Sequence, residues 1–318
     1  MLSRLASAVL ALFMLGGLVQ AEVSPAPALK VPLAPRVVFL GLAAPGERVV
    51  AVGERGVVIR SDDQGGTWTQ SDVPVRATLT AVTFVDAQTG FAVGHDAVVL
   101  KTADGGVTWS LLNFEPDSQV VLLNVRFRDP SHGYVVGSNG QLWTTGDGGG
   151  SWQRTTLAVE DWYQNHIFDV AWTADGTTLA VAEKGVLYRA QAGAAFTPIE
   201  SPYDGSFFGA QALADGRVVI FGMNGHAFVS ADAGTTWQVI DTGTRQFLLA
   251  GGLLPDGALL IAGGGGTVLR VDPLTQQVSA GQLPERNGIT AVLPTGDALY
   301  VATEAGGVQR RALADLFK

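Results

Sequence analysis

Two acidic and aromatic segments hold the side chains best placed for chemistry or recognition. Residues 160–166 read Glu-Asp-Trp-Tyr-Gln-Asn-His, and residues 201–208 read Ser-Pro-Tyr-Asp-Gly-Ser-Phe-Phe. Aromatic rings of this kind anchor protein interfaces and stack on sugars, while two carboxylates at a suitable separation hydrolyse glycosidic bonds. The segments therefore predict a contact surface for a partner, with a carbohydrate site as the alternative. Its candidate residues are Asp161, Trp162, Tyr163, His166, Tyr203, Asp204, Phe207 and Phe208.

Four further aspartates lie in a repeated pattern, Ser/Thr-x-Asp-x-Gly-x-Thr/Ser-Trp, as in Thr102 to Trp109. A Gly-rich tight turn between two short β-type runs predicts a hairpin. The carboxylate can accept hydrogen bonds from the N–H groups of the turn, and the Trp can cover the hairpin with apolar surface. We therefore assign a structural role to Asp63, Asp104, Asp147 and Asp232, and to Trp68, Trp109, Trp152 and Trp237.

Other catalytic patterns are absent from the sequence. The four histidines are scattered and show no metal-ligand spacing. The run Gly263 to Gly266 is not followed by the Lys-Ser/Thr of a phosphate loop, and no Gly-x-Ser-x-Gly elbow occurs. We therefore predict no catalytic residue, no metal and no cofactor.

A second landmark precedes each turn and sets the architecture. A small residue, two turn residues and a Gly recur at intervals of roughly forty residues, beginning with Gly53 to Gly56, and seven such units can be counted. The short apolar runs between them suit strands buried on both faces. The sequence thus predicts an all-β fold, a seven-bladed β-propeller of four-stranded antiparallel blades. The fourth unit has a degraded turn, with Gln191 in the place of the Asp and Phe196 in the place of the Trp.

The seventh unit shows only three strands, so another segment must supply its outer edge. We predict that the N-terminal arm, residues 22–36, closes the ring through residues 28–33, because its prolines are tolerated on an edge strand. Residues 312–317 are the alternative. The propeller itself is assigned to residues 37–318.

The N-terminus and the composition predict the compartment. Residues 1–21 read as a cleaved signal peptide: Arg4, an apolar run and a small-residue site before Glu22. The chain has no Cys, so it has no lipid-attachment site, and we expect a periplasmic or secreted protein that is not a lipoprotein. Cleavage removes one Arg and no acid, which changes the formal charge from −9 to −10. An acidic chain is a poor nucleic-acid binder, and no nucleic-acid partner is expected.

The repeated turns resemble the Asp boxes, or bacterial neuraminidase repeats, of β-propellers. Sialidases with such boxes carry an Arg in a Phe/Tyr-Arg-Ile-Pro motif, whereas this chain has Ala34-Pro35-Arg36-Val37. The mismatch weighs against a sialidase-like glycosidase. The aromatic segments then serve as a contact surface, or else pack as a plug in the central channel.

The frame that joins the two landmarks, clearest from Ala92 to Trp109 and from Val135 to Trp152, is similar to the photosystem II assembly and stability factor family. The resemblance covers residues 37–311. It implies an exported, non-catalytic seven-bladed propeller that acts as an interaction or assembly scaffold for a membrane protein, such as an envelope or transport complex. A sialidase-like enzyme or lectin that uses the same loop face is the alternative.

Overall fold

The computed structural model describes residues 25–159, 164–173 and 175–317. In these ranges the chain forms seven antiparallel sheets arranged as the blades of a propeller. Six sheets have four strands and the last has three. The all-β seven-bladed fold predicted from the repeats is therefore confirmed. None of the helices in the described ranges has the length and apolar character needed to cross a bilayer.

The strands follow the repeat in order, from the innermost to the outermost of each blade. Blades 1 to 3 contain β1 Phe39–Ala43, β2 Val49–Gly53, β3 Val58–Ser61, β4 Thr69–Gln70; β5 Leu79–Phe84, β6 Gly90–Gly94, β7 Val99–Thr102, β8 Ser110–Asn113; β9 Leu122–Phe127, β10 Gly133–Gly137, β11 Gln141–Thr145 and β12 Gln153–Thr156. Blades 4 and 5 contain β13 Ile167–Trp172, β14 Thr178–Ala182, β15 Leu187–Ala190, β16 Thr197–Ile199; β17 Phe207–Ala212, β18 Val218–Gly222, β19 Ala227–Ser230 and β20 Gln238–Ile240. Blades 6 and 7 contain β21 Leu248–Leu253, β22 Leu259–Gly263, β23 Thr267–Val271, β24 Val278–Gln282; β25 Ile289–Thr295, β26 Ala298–Thr303 and β27 Val308–Ala312. Short 3-10 helices lie at Ala34–Arg36, Glu54–Gly56, Pro116–Ser118, Glu183–Gly185, Met223–Gly225 and Gly264–Gly266, and α1 spans Leu313–Leu316.

The second strands are the most deeply buried elements of the blades. All five residues of β2 are buried, and the same holds for β6, β14, β18 and β22. Apolar side chains on both faces of a blade pack against its neighbours, so the core is divided into clusters between adjacent blades. Short continuous apolar runs are the sequence pattern that such two-sided burial requires.

In the described residues the N-terminal arm does not supply the fourth strand of blade 7, so the predicted pairing of residues 28–33 is wrong. Residues 28–30 lie on blade 1 instead: the N–H of Ala28 donates to the carbonyl of Val73 (2.9 Å), and Lys30 Nζ donates to the carbonyl of Gln70 (2.7 Å). Outer strand β4 has only two residues, so polar groups beyond its end are left for the arm to satisfy. The prolines of the arm remove the N–H donors that a ladder along blade 7 would need.

The ring closes by side-chain packing between blades 7 and 1. Phe39 and Ile59 of blade 1 share a buried cluster with Ala291 and Ala302 of blade 7. The hydroxyl of Thr290 donates to the carbonyl of Phe39 at 2.6 Å. Within the described residues no strand pairs with the outer edge of β27.

The C-terminal tail does not supply the missing strand either. It turns into α1, whose Leu316 is buried in the cluster between blades 6 and 7, together with Leu260 and Leu299. In blades 1, 2, 3 and 5 the Trp of the repeated turn packs against the preceding blade in the corresponding clusters. Leu316 thus fills for blade 7 part of the space that a Trp fills elsewhere.

Candidate functional site

The four repeated aspartates are committed to their own turns. In blade 3 Asp147 accepts hydrogen bonds from the hydroxyl of Thr145 (2.8 Å), from the N–H of Ser151 (2.9 Å) and from the hydroxyl of Ser151 (2.7 Å). These bonds, that of the Ser151 hydroxyl above all, lower the pKa of Asp147 from 3.8 to about 2. Equivalent bonds surround Asp63, Asp104 and Asp232.

Each of these turns also docks on the second strand of the preceding blade. Gly149 has φ +76°, and a Cβ at this position would lie 2.4 Å from the ring of Phe91. Only glycine combines that backbone conformation with that close approach. The equivalent contacts join Gly65 to Tyr300, Gly106 to Val50 and Gly234 to Leu179. The turns therefore hold neighbouring blades together.

The loop face of the ring is the end opposite these turns. The N–H that opens each turn between second and third strands donates to the carbonyl just before an innermost strand, as His95 does to Thr78 (2.9 Å) and Glu183 to His166 (2.9 Å). Turn tips and blade connections thus share one face. The tip residues that carry side chains have φ between 54° and 59°: Arg55, Asp96, Asn139, Lys184 and Asn224.

The predicted aromatic cluster is described only in part. Trp162, Tyr163 and Asp161 lie outside the described residues, whereas His166, Tyr203, Asp204, Phe207 and Phe208 lie within them. Asp204 is exposed on the loop face. The structure therefore tests the placement of the second segment and of one end of the first.

Phe207 is a core residue and not part of a contact surface. Its side chain is 0 % exposed and packs with Leu179 and Phe228 between blades 4 and 5. It is the first residue of an innermost strand, and that repeat position is buried and apolar in every blade. The seven residues are Phe39, Leu79, Leu122, Ile167, Phe207, Leu248 and Ile289.

Phe208, the next residue, faces the central channel. The register of each innermost strand shifts after its first residue, which leaves the second residue unpaired and turned towards the channel. Phe208 and its equivalent Phe168 in blade 4 are half-buried, and their ring centroids lie 5.1 Å apart at 80°. The complete ring at this level is Leu40, Thr80, Leu123, Phe168, Phe208, Leu249 and Thr290.

Tyr203 and His226 form a second aromatic pair on the loop face, between blades 4 and 5. Their rings stack with centroids 4.0 Å apart and an angle of 14°. Asn224 Nδ2 donates to the hydroxyl of Tyr203 at 3.1 Å. His166 adjoins Phe168, and its Nδ1 accepts the N–H of Asn139 at 3.1 Å. His166 therefore orders a turn tip at the rim.

The channel beneath the mouth is a cavity of about 700 Å³ lined by all seven innermost strands. Arg126 of blade 3 binds Asp169 of blade 4 through Nε and Nη2, at 2.7 Å each. Asp169 also accepts from Asn124 Nδ2 (2.8 Å) and from the N–H of Ala210 in blade 5 (3.1 Å). Its side chain is 3 % exposed and that of Arg126 is 33 % exposed, so the guanidinium is the charge that faces the channel.

The sequence analysis missed this polar group, although a signal was present. The repeat position of Asp169 holds Gly41, Ala81, Asn124, Gly209, Ala250 and Ala291 in the other blades. At this position the other five blades have Gly or Ala, whereas blades 3 and 4 have the larger polar residues Asn124 and Asp169. Comparing the seven units position by position would have singled them out.

The arrangement suits recognition by contact. Aromatic rings and the exposed side chains of Phe247 (47 %) and Leu249 (40 %) surround a mouth whose floor is polar. In the described ranges no group of three or more His, Cys, Asp or Glu side chains is placed to hold a metal ion. The site comprises His166, Phe168, Tyr203, Phe208, His226, Phe247 and Leu249, and we call it the mouth site.

Comparison with known proteins places the chain in a family. A family model described as photosynthesis system II assembly factor YCF48 matches residues 59–120 and 112–272, which is more than half of the chain. A 65-residue stretch is 42 % identical to the uncharacterized protein YkuO of Bacillus subtilis, and a 73-residue stretch is 33 % identical to the photosystem II assembly lipoprotein Ycf48 of Prochlorococcus marinus. Each stretch is about a fifth of this chain and spans about a fifth of its relative's length.

A solved structure titled YCF48 bound to D1 peptide is similar in fold. It superimposes with a TM-score of 0.69 over 91 % of this chain and 99 % of that chain, at 18 % identity. That degree of identity supports the fold, and the family follows from the extent of the family-model match. The chain belongs to the family described as photosynthesis system II assembly factor YCF48.

Proposed function

We propose that this protein is an exported, non-catalytic assembly scaffold that binds a segment of an envelope membrane protein or transport complex at the mouth site. The single observation that carries the proposal is the pair Phe168 and Phe208, two half-buried rings held at the mouth by the strand bulges of adjacent blades. The described residues are consistent with a contact surface at the loop face, which is where propellers usually bind ligands.

The family supports a role in the assembly of a membrane protein complex, and one solved structure of similar fold supports a peptide as the bound partner. The structure titled YCF48 bound to D1 peptide concerns a propeller of the same fold that holds a peptide. For this chain we infer an apolar peptide segment, because rigid aromatic rings in a partly desolvated setting contribute most of the binding free energy at interfaces. Phe247 and Leu249 extend the apolar surface from Phe208 towards blade 6.

The test compares two aromatic side chains of the mouth site with an exposed apolar side chain at the other end of the ring. The protein is used to capture partners from detergent-solubilised envelope membranes, and captured proteins are identified by mass spectrometry. We expect that Tyr203→Ala and Phe208→Ala lose the same membrane protein, whereas Leu274→Ala retains it. Leu274 is 75 % exposed and lies in a turn between third and fourth strands, at the opposite end of the ring. Equal capture by all variants would refute the mouth site.

Export is a separate part of the proposal. The N-terminal sequence of residues 1–21 supports removal of a signal peptide, so the mature protein is expected to begin at Glu22 in the periplasmic or secreted fraction. Mass spectrometry of the protein recovered from cell fractions measures this directly. An intact N-terminus in the membrane fraction would show that residues 1–21 serve as an anchor.

A further inference from the structure

The turns between third and fourth strands bind the preceding blade through a shared contact. Besides the packing of each turn on a second strand, a third-strand cation of the preceding blade reaches the turn in two cases. Lys101 Nζ of blade 2 donates to the carbonyl of Gly148 in the turn of blade 3 (3.2 Å). Arg189 Nη1 of blade 4 donates to the hydroxyl of Thr235 in the turn of blade 5 (3.0 Å). In blades 2 and 4 the third-strand cation is therefore a receptor for a backbone carbonyl or a hydroxyl of the next turn.

Blade 6 carries such a cation at the same repeat position. Arg270 pairs with Leu260 in the register, as Lys101 pairs with Phe91 and Arg189 with Leu179. Blade 7 has no fourth strand in the described ranges, so no turn of blade 7 reaches Arg270. Arg270 Nη2 instead contacts Asp256 at 2.6 Å, in an ion pair whose partners are both partly exposed.

A cavity of about 360 Å³ lies where that turn would dock. Its walls are Leu254, Pro255 and Asp256 of blade 6 on one side and Leu313 and Phe317 of the C-terminal tail on the other, with Arg270 at its edge. Leu316 of α1 fills the inner part of the space, because it is buried against Leu260. What stays open is the outer part, which corresponds to the tip of a turn.

We propose that this cavity, which we call the blade 6/7 slot, binds a Gly-rich tight turn of a partner protein. The slot offers such a turn a cation and an apolar wall. Arg270 can donate charge-assisted hydrogen bonds to a carbonyl or a hydroxyl of the turn, as Lys101 and Arg189 do in blades 2 and 4. Leu254, Leu313 and Phe317 give an aromatic residue beside the turn an apolar wall. The chain's own four turns are internal examples of the occupant, and the slot is continuous with the interface between blades 6 and 7.

The blade 6/7 slot and the mouth site are separate surfaces. The slot lies at the end of the ring that carries the repeated turns, whereas the mouth site lies at the opposite end. A partner that has both an apolar segment for the mouth site and a Gly-rich turn for the slot would contact the propeller at both ends. Failure of either site leaves the other unaffected, because no residue is shared between them.

The test uses the chain's own turn as the probe. A cyclised peptide that holds the sequence of residues 102–110 as a closed turn is labelled with a dye, and its binding to the intact protein is measured by fluorescence anisotropy. We expect saturable binding that falls at least tenfold in Arg270→Glu, is retained in Arg270→Lys, and is abolished in Ala314→Trp, which fills the slot. Arg128→Ala is the matched control, because Arg128 also forms a partly exposed ion pair, with Asp129 at 3.4 Å. Thermal melting establishes that each variant is folded.

The contrary outcomes are equally definite. Absence of saturable binding, or equal binding to the wild type and to Arg270→Glu, overturns the slot. A loss in Arg128→Ala as large as in Arg270→Glu shows that charge alone attracts the peptide and also overturns it. Self-association of the protein that is abolished by Arg270→Glu would assign the slot to a second copy of this chain and refute a separate partner.

Discussion

The guanidinium of Arg126 in blade 3 holds the carboxylate of Asp169 in blade 4 through two hydrogen bonds of 2.7 Å each. The same carboxylate accepts the N–H of Ala210 in blade 5, so three blades meet at one buried anion. The pair lies under Phe168 and Phe208 in the channel. It therefore stabilises the part of the ring that presents the mouth site.

Removing the buried carboxylate should destabilise the protein strongly. Asp169→Ala leaves Arg126 and the N–H of Ala210 without an acceptor, and breaking a buried pair of this kind costs about 3–5 kcal/mol. Urea denaturation measures the free energy of unfolding. Lys30→Ala, which breaks the exposed pair of Lys30 with Asp72, is the control and should cost less than about 1 kcal/mol. Similar losses in both variants would show that the channel pair is not a structural anchor.

Adjacent residues Phe207 and Phe208 should have opposite phenotypes. Phe207→Ala removes a fully buried ring and should cost about 3–5 kcal/mol of stability. Phe208→Ala removes a half-buried ring at the mouth, so it should lower stability less and weaken partner binding on the order of 2 kcal/mol. Thermal melting and binding are measured on the same preparations. Normal binding by Phe208→Ala would exclude its ring from the contact.

The repeated turns should matter for stability and not for recognition at the mouth. Asp104→Ala removes the acceptor of the Thr108 N–H and of the hydroxyls of Thr102 and Thr108, at a cost of roughly 1–3 kcal/mol. Because the turn lies at the end of the ring opposite the mouth site, binding there should be unchanged. A variant that loses binding but melts like the wild type would contradict this division.

Acid should weaken the turns in a defined pH range. The folded-state pKa of Asp147, about 2, is below its ordinary value of 3.8, so its contribution to stability is present above about pH 4 and is lost as the pH falls through about 2. Asp147→Asn should therefore show a shallower decline of melting temperature between pH 4 and pH 2 than the wild type. Parallel declines would indicate that Asp147 titrates with the same pKa in the folded and unfolded states.

Much of the fold could be read from the sequence because the repeat encodes contacts within a blade. The turn aspartates, the strand order and the number of blades all depend on residues close together in the chain. The burial of Phe207 could also have been predicted, because Phe39, Leu79 and Leu122 are large apolar residues at the same repeat position. The environment of Phe208 could not be predicted in this way. A strand bulge shifts the register between Phe207 and Gly209 and turns the side chain of Phe208 towards the channel.

The seventh blade also carries a sequence signal of its missing strand. At the centre of their third strands the complete blades have Ile59, Leu100 and, at the equivalent positions, other large apolar residues. Blade 7 has Gln309 there, and Gln309 Oε1 accepts a hydrogen bond from Arg311. Polar side chains on both residues protect an open strand edge from association.

The sequence by itself therefore determined the repeated unit of the fold. It gives the seven units, their four-residue turns and the side chains that form hydrogen bonds within the Asp-containing turns. Tertiary structure alone decided the path of the arm along Gln70 and Val73, the packing of Leu316 against Leu260, and the meeting of Arg126 with Asp169. These contacts join segments whose partners lie on other blades. Their geometry depends on how the blades close into a ring, and no local spacing in the chain records that closure.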